Sequence, residues 1–103
     1  MKVSILDLHC LNATADDYET ILSIVDDVRR SSHGNVDVGN VDVGEVAACM
    51  TDLVREGLVD LYRLDTATNE FVPLAAVPES FDGVWFRLNA TGRKQLDAHW
   101  VND

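Results

Sequence analysis

The chain's cysteines and histidines are the first side chains to weigh as metal ligands or as nucleophile and base: Cys10, Cys49, His9, His33 and His99. The histidines are scattered with no partner at ligand spacing, so each is expected to be a satisfied or exposed histidine and not a ligand. Both cysteines fall in apolar helical patterns, where a free thiol packs as a small hydrophobe; they are expected to be reduced and buried. The segment N-V-D-V-G occurs twice in succession, at 35–39 and 40–44. Its aspartates lack the D-x-D-x-D-G run and distal glutamate of a calcium loop. Gly83 and Gly92 do not make a phosphate loop, and neither G-x-S-x-G nor H-E-x-x-H occurs. The expectation is a protein that is not an enzyme and carries no cofactor or metal.

What remains is the chemistry of contact, and the elements that would present it can be read in order. Val3 to Leu11 is dense in apolar residues and is read as a short buried helix. Thr14 followed by Asp17 forms a capping-box pattern, and Tyr18, Ile21, Leu22, Val25 and Val28 repeat at helical steps, predicting a helix from there to Arg30. Asp16, Asp17 and Glu19 at its start and Arg29 and Arg30 at its end match the helix dipole, which explains the arginines without a ligand. The repeated N-V-D-V-G reads as a loop with one extended patch, since its valines alternate with polar residues and its glycines oppose helix.

Val43 to Val59 is the organising stretch. Apolar residues at 46, 49, 50, 53 and 54 predict an amphipathic helix, with Asp42 as N-cap, Glu45 three residues on, and Gly57 placed to turn the chain left-handed at its end. A strand follows at once, with Val59 and Leu61 on one face and Asp60, Tyr62 and Leu64 on the other. Phe71 to Leu74 returns as a short strand, and Val84 to Leu88 pairs antiparallel with the first, placing Val84, Phe86 and Leu88 inward and Trp85 and Arg87 outward. Tyr62, Leu64 and Trp85 thus share an outer face that needs an apolar cover, from the segment Phe71 to Phe81 or from a second subunit. Asn89 is placed to cap a final helix in which Leu96 and Trp100 share a face.

At 103 residues and 47% hydrophobic content, one domain over 1–103 is expected. No stretch is long and apolar enough for a membrane span, and the first residues lack the pattern of a signal peptide, so a cytoplasmic protein is expected. The net charge of -10 repels polyanions and disfavours nonspecific attachment to nucleic acid or anionic lipid.

Arg55-Glu56-Gly57-Leu58-Val59, then a strand, a loop, and Phe86-Arg87-Leu88-Asn89-Ala90-Thr91-Gly92-Arg93 leading into a closing helix resemble the winged helix-turn-helix domains of bacterial MarR- and PadR-type regulators over about Val43 to Trp100. The resemblance implies an α+β fold with a three-helix core, a β-hairpin wing and a C-terminal helix. It also implies a recognition helix over the central stretch, with Thr51, Arg55, Arg63 and Arg87 as DNA contacts, and dimerisation through terminal helices involving Leu96 and Trp100. Two departures bear on DNA. The central helix turns Glu45, Ala47, Ala48, Thr51, Asp52 and Glu56 outward with Arg55 its only cation, and Ser31 to Asp42 replaces the tight turn of a DNA-reading unit. The leading expectation is therefore a regulator-like module acting through protein contact or as a homodimer, with interface residues Tyr62, Leu64, Trp85, Leu96 and Trp100. A DNA-binding transcriptional regulator is the rival.

Overall fold

The computed structural model describes residues 3–31 and 36–99. The first helix, α1 (Ile5–Ala13), opens on a reciprocal capping box: the Asp7 amide donates to Ser4 Oγ at 3.0 Å, and the Ser4 amide donates to Asp7 Oδ2 at 2.9 Å. Thr14, expected to start the next helix, instead closes this one. Its buried hydroxyl donates back to the carbonyls of Leu11 and Cys10, and its own carbonyl accepts from the Leu88 amide at 3.0 Å. The second long helix, α2 (Ile21–Arg30), begins only at Thr20, whose side chain caps the Ser23 amide.

Residues 15–20 therefore leave the helix predicted for them, and Glu19–Thr20 forms a short strand, β1, paired with Phe86 and Trp85. The Thr14–Asp17 pattern is a purely local signal. A strand pairing and an aromatic contact made by Tyr18, both long-range, override it. Leu22 is corrected with it: this residue, assigned to a buried stripe, is 66% exposed, and α2 buries Ile24, Val25 and Val28 instead.

The repeat also differs from expectation. Its first copy supplies a four-residue turn of helix, α3 (Val36–Gly39), and among the described residues of the two copies none joins the sheet. In the second copy Asp42 caps the central helix α4 (Val43–Arg55), its Oδ1 accepting from the Glu45 amide at 2.8 Å. Arg29 fixes that start from outside, donating from Nε to the Val41 carbonyl at 2.8 Å. The far end of α4 closes as the sequence predicts. Gly57 lies at φ 77, and the amides of Leu58 and Gly57 return to the carbonyls of Leu53 and Val54, the paired bonds of a glycine-terminated helix.

Three further strands complete the antiparallel sheet: β2 (Val59–Asp65), β3 (Glu70–Pro73) and β4 (Val84–Leu88), in the order β1-β4-β2-β3. The long pair β2 and β4 is antiparallel as expected, with Leu61 opposite Phe86 and Tyr62 opposite Trp85. Its inner face, Val59, Leu61, Val84 and Phe86, closes the hydrophobic core against Leu11, Ile24, Val28, Val46, Met50 and Leu53. The chain is thus α+β.

The last helix, α5 (Ala90–His99), is locked to the α4–β2 handover. Asn89 Oδ1 accepts from the Gly92 amide at 2.8 Å, while its Nδ2 donates to the Gly57 carbonyl at 2.8 Å and to Asp60 Oδ1 at 3.1 Å. Gly92 is needed because a Cβ there would overlap the Leu58 carbonyl oxygen. Leu96, expected on an outward face with Trp100, instead points into the chain's own core at 4% exposure; Trp100 lies outside the described residues.

Three substitutions check this packing. Helix propensity alone makes Gly92→Ala stabilising by about 1 kcal/mol; the overlap with Leu58 reverses the sign, and urea denaturation should show a loss of about 1 to 3 kcal/mol or more. Leu53→Ala should cost about 2 to 5 kcal/mol, whereas Leu22→Ala should stay within about 0.5 kcal/mol. Equal losses at the two leucines would mean that the buried face of α2 lies elsewhere.

Candidate functional site

Three surfaces carry the contact chemistry read from the sequence. The first is the outer face of the sheet. Tyr62 and Trp85 lie side by side on β2 and β4, and Leu64 sits opposite Phe71 of β3. Tyr18, next to β1, reaches across them: its ring stacks on Phe71 at 3.8 Å and meets Tyr62 edge-on at 4.9 Å, while Phe71 meets Trp85 edge-on at 5.3 Å. The cover expected from Phe71 to Phe81 or from a second subunit is thus supplied by Phe71 together with Tyr18. Edge-to-face and offset pairs of this kind add about 0.5 to 1.5 kcal/mol each beyond their buried area. Burial, and then the Asp60 carboxylate, hold the Tyr62 phenol above its usual range.

The second is the set of cations that the resemblance assigns to DNA. Strand register places Arg63 opposite Val84 and Arg87 opposite Asp60, so the two arginines leave opposite faces of the sheet and cannot grip one phosphate run together. Arg87 lies over the Tyr18 ring at 4.9 Å. Arg30 pairs with Asp26 and Asp27, and Arg93 donates to the Ala15 carbonyl at 2.8 Å. With Arg29 on Val41, these exposed side chains are engaged by the chain's own groups. Thr51 is engaged too, its hydroxyl donating to the Ala47 carbonyl at 2.8 Å. Among the described residues, Arg55 and Arg63 are the arginines left exposed with no hydrogen bond, ion pair or ring contact.

The third surface is a groove of about 470 Å³ along the outer side of α4. Val43, Ala47, Thr51 and Arg55 follow one another at four-residue steps, so they form a stripe along one side of the helix. The opposite wall is the segment 77–82. It is anchored by Phe81, whose ring meets the core residue Phe86 edge-on at 5.0 Å, and by the Val84 amide bonding back to the Phe81 carbonyl. A second groove of about 580 Å³ lies between the preceding residues 73–77 and Val59–Tyr62. Nothing in the local sequence pattern signals either groove, because each depends on where a segment without periodicity settles.

The thiols sit apart from these surfaces. Cys10 and Cys49 are free and buried, as expected. Cys49 Sγ donates to Asp7 Oδ1 at 3.0 Å. The hydrogen bond with the Cys10 thiol, then burial, push the Cys49 pKa far upward, so the thiol stays protonated through the neutral range. His9 Nδ1 lies 2.9 Å from Ser31 Oγ, and His99 Nδ1 lies 2.9 Å from the Gln95 carbonyl; His33 is outside the described residues. Among the described residues no three His, Cys, Asp or Glu side chains converge on a metal position, and no helix is long and apolar enough to cross a membrane.

The chemical consequence is direct. A raised thiol pKa keeps its contribution to stability below the unfolded-state value and loses it as pH climbs towards the folded one, so the loss belongs to alkaline pH. Native protein at pH 8 should react with a disulfide reagent far more slowly than urea-unfolded protein, and both thiols should appear on unfolding. A rapid burst from the native state would contradict the buried, protonated pair.

No protein-family model, curated protein or solved structure matches this chain.

Proposed function

We propose that this is a winged-helix module without enzymatic activity that works by binding another protein, with the outer side of α4 as its working face. The element order supports the architecture: helix, short strand, three further helices of which α3 is a single turn, three strands and a closing helix, with β1 against β4 and β2 on the other side of β4. In such a module α4 occupies the place of a recognition helix and the β2–β3 hairpin the place of the wing.

The observation that carries the reading is the composition of that face. Glu45, Asp52 and Glu56 are exposed on α4, with Arg55 as its cation. At B-DNA these acids would meet phosphates, and major-groove readout depends chiefly on Arg, Lys, Asn and Gln, which α4 lacks apart from Arg55. Arg29, Arg30, Arg87 and Arg93, though exposed, are already engaged by the chain's own carbonyls, carboxylates and Tyr18 ring, which lowers their availability to a phosphate surface. The net charge of -10 also sets two copies of the chain against each other, which favours a different protein over a second copy as partner. The rival reading, a DNA-binding regulator, draws its support from Arg55 and Arg63.

Titration of labelled random duplex DNA, followed by fluorescence anisotropy at physiological salt, separates the two. The protein-contact reading predicts no binding in the ~10⁻⁴ to 10⁻⁶ M range of ordinary nonspecific DNA binders. Micromolar binding that falls steeply with salt, and that is lost in Arg55→Ala/Arg63→Ala, would establish the rival.

A further inference from the structure

The groove between α4 and 77–82 has a floor, a fixed wall and a charge pattern, and together these specify an occupant. The floor is the stripe Val43, Ala47 and Thr51, and it is apolar in effect because the Thr51 hydroxyl is already donated to the Ala47 carbonyl. Val77 and Phe81 form the wall, both packed against the core. From Val43 to Arg55 the stripe runs roughly 18 Å at the rise of an α-helix, the length of about three turns.

The rims are acidic. At 100° per residue, Glu45 and Asp52 come round on the side of the α4 stripe away from the wall, and both are exposed. The wall itself contributes Glu79 and Asp82, also exposed, and Arg55 is the cation at one end. An apolar trough between two acidic banks is complementary to a helix with an apolar stripe flanked by lysine or arginine, the mode in which amphipathic helices enter grooves. A second copy of this chain is a poor match, since its own surface is acidic.

We propose that the groove between α4 and residues 77–82 is the docking site for a basic amphipathic helix of a partner protein. This rests on the protein-contact reading above and adds the class of partner to it.

The test uses the full chain and a fluorescein-labelled synthetic helix of roughly 14 residues, matched to the groove length, with leucine at i, i+3, i+4 and i+7 and lysine on both flanks. A second peptide carries glutamate in place of every lysine. Expected are micromolar binding of the lysine peptide, weakening as salt rises, and no binding of the glutamate peptide. Two variants fill the trough or reverse its banks, Ala48→Arg and Glu45→Lys/Glu79→Lys/Asp82→Lys. Each should weaken binding about tenfold or more, equivalent to about 1.4 kcal/mol. The remote reversals Asp16→Lys and Glu70→Lys should leave it within about twofold, with circular dichroism confirming that every variant is folded.

Equal weakening by the remote reversals would reduce the effect to general attraction by a polyanion and overturn the proposal. So would absence of binding, binding of the glutamate peptide, or a homodimer in sedimentation that Ala48→Arg dissolves. The DNA titration keeps the two levels apart: a silent peptide with silent DNA removes only this occupant, whereas binding of DNA removes the protein-contact reading itself.

Discussion

The Leu58 carbonyl is the point on which the rest of the fold closes. It accepts from the Asn89 amide at 3.2 Å, and Gly92 packs so tightly against it that no side chain fits between. Through Gly57 and Leu58 it fixes where α4 stops and β2 starts; through Asn89 and Gly92 it fixes where β4 stops and α5 starts. The two handovers are held face to face by one asparagine with three side-chain hydrogen bonds, each replacing a bond that a helix end or a carboxylate would otherwise make to water. Because β2 and β4 are neighbours in the sheet, this junction also sets their register, and register decides which side chains face the core.

That register divides the strand residues between two apolar layers. Phe86 and Leu61 enter the main core beneath the helices, and Trp85 and Tyr62 enter the aromatic layer on the other side with Tyr18 and Phe71. Tyr18 explains why the chain breaks its helix at Thr14: residues 15–20 must cross the sheet edge to bring the ring over Phe71. The outer sheet face is half-buried by the chain's own rings, and Leu96 lies in its own core; the proposed working face is instead the stripe along α4 that begins at the exposed Val43.

The sequence was most legible where a signal is carried by contiguous residues. Asp42, Gly57 and the apolar spacing between them define α4 without reference to anything distant, and the alternation in Val59–Leu64 and Val84–Leu88 predicts both faces of the long strand pair. It was least legible where identical or similar patterns have different surroundings. The two N-V-D-V-G copies fold differently because only the second adjoins Arg29 and the start of α4. Thr14 and Thr20 each precede a capping-compatible residue, and only the pairing of Glu19 and Thr20 with β4 decides between them. The outward acids of α4 were readable from helical spacing; the wall that turns them into the bank of a groove was not, because Phe81 is placed by a ring contact with Phe86 and not by any local period.

The working face proposed on α4 rests on an acidic helix and on arginines that are engaged by the chain's own groups. Its most direct test is positional. In amide chemical-shift mapping of the labelled full chain with the lysine-flanked helix, the perturbed signals should cluster at Val43, Ala47, Ala48, Thr51 and Arg55 and along 77–82. The aromatic sheet face should stay still. Perturbations gathered instead on Tyr62, Leu64 and Trp85, or on the β2–β3 hairpin around Arg63, would place the contact on another surface and contradict the account.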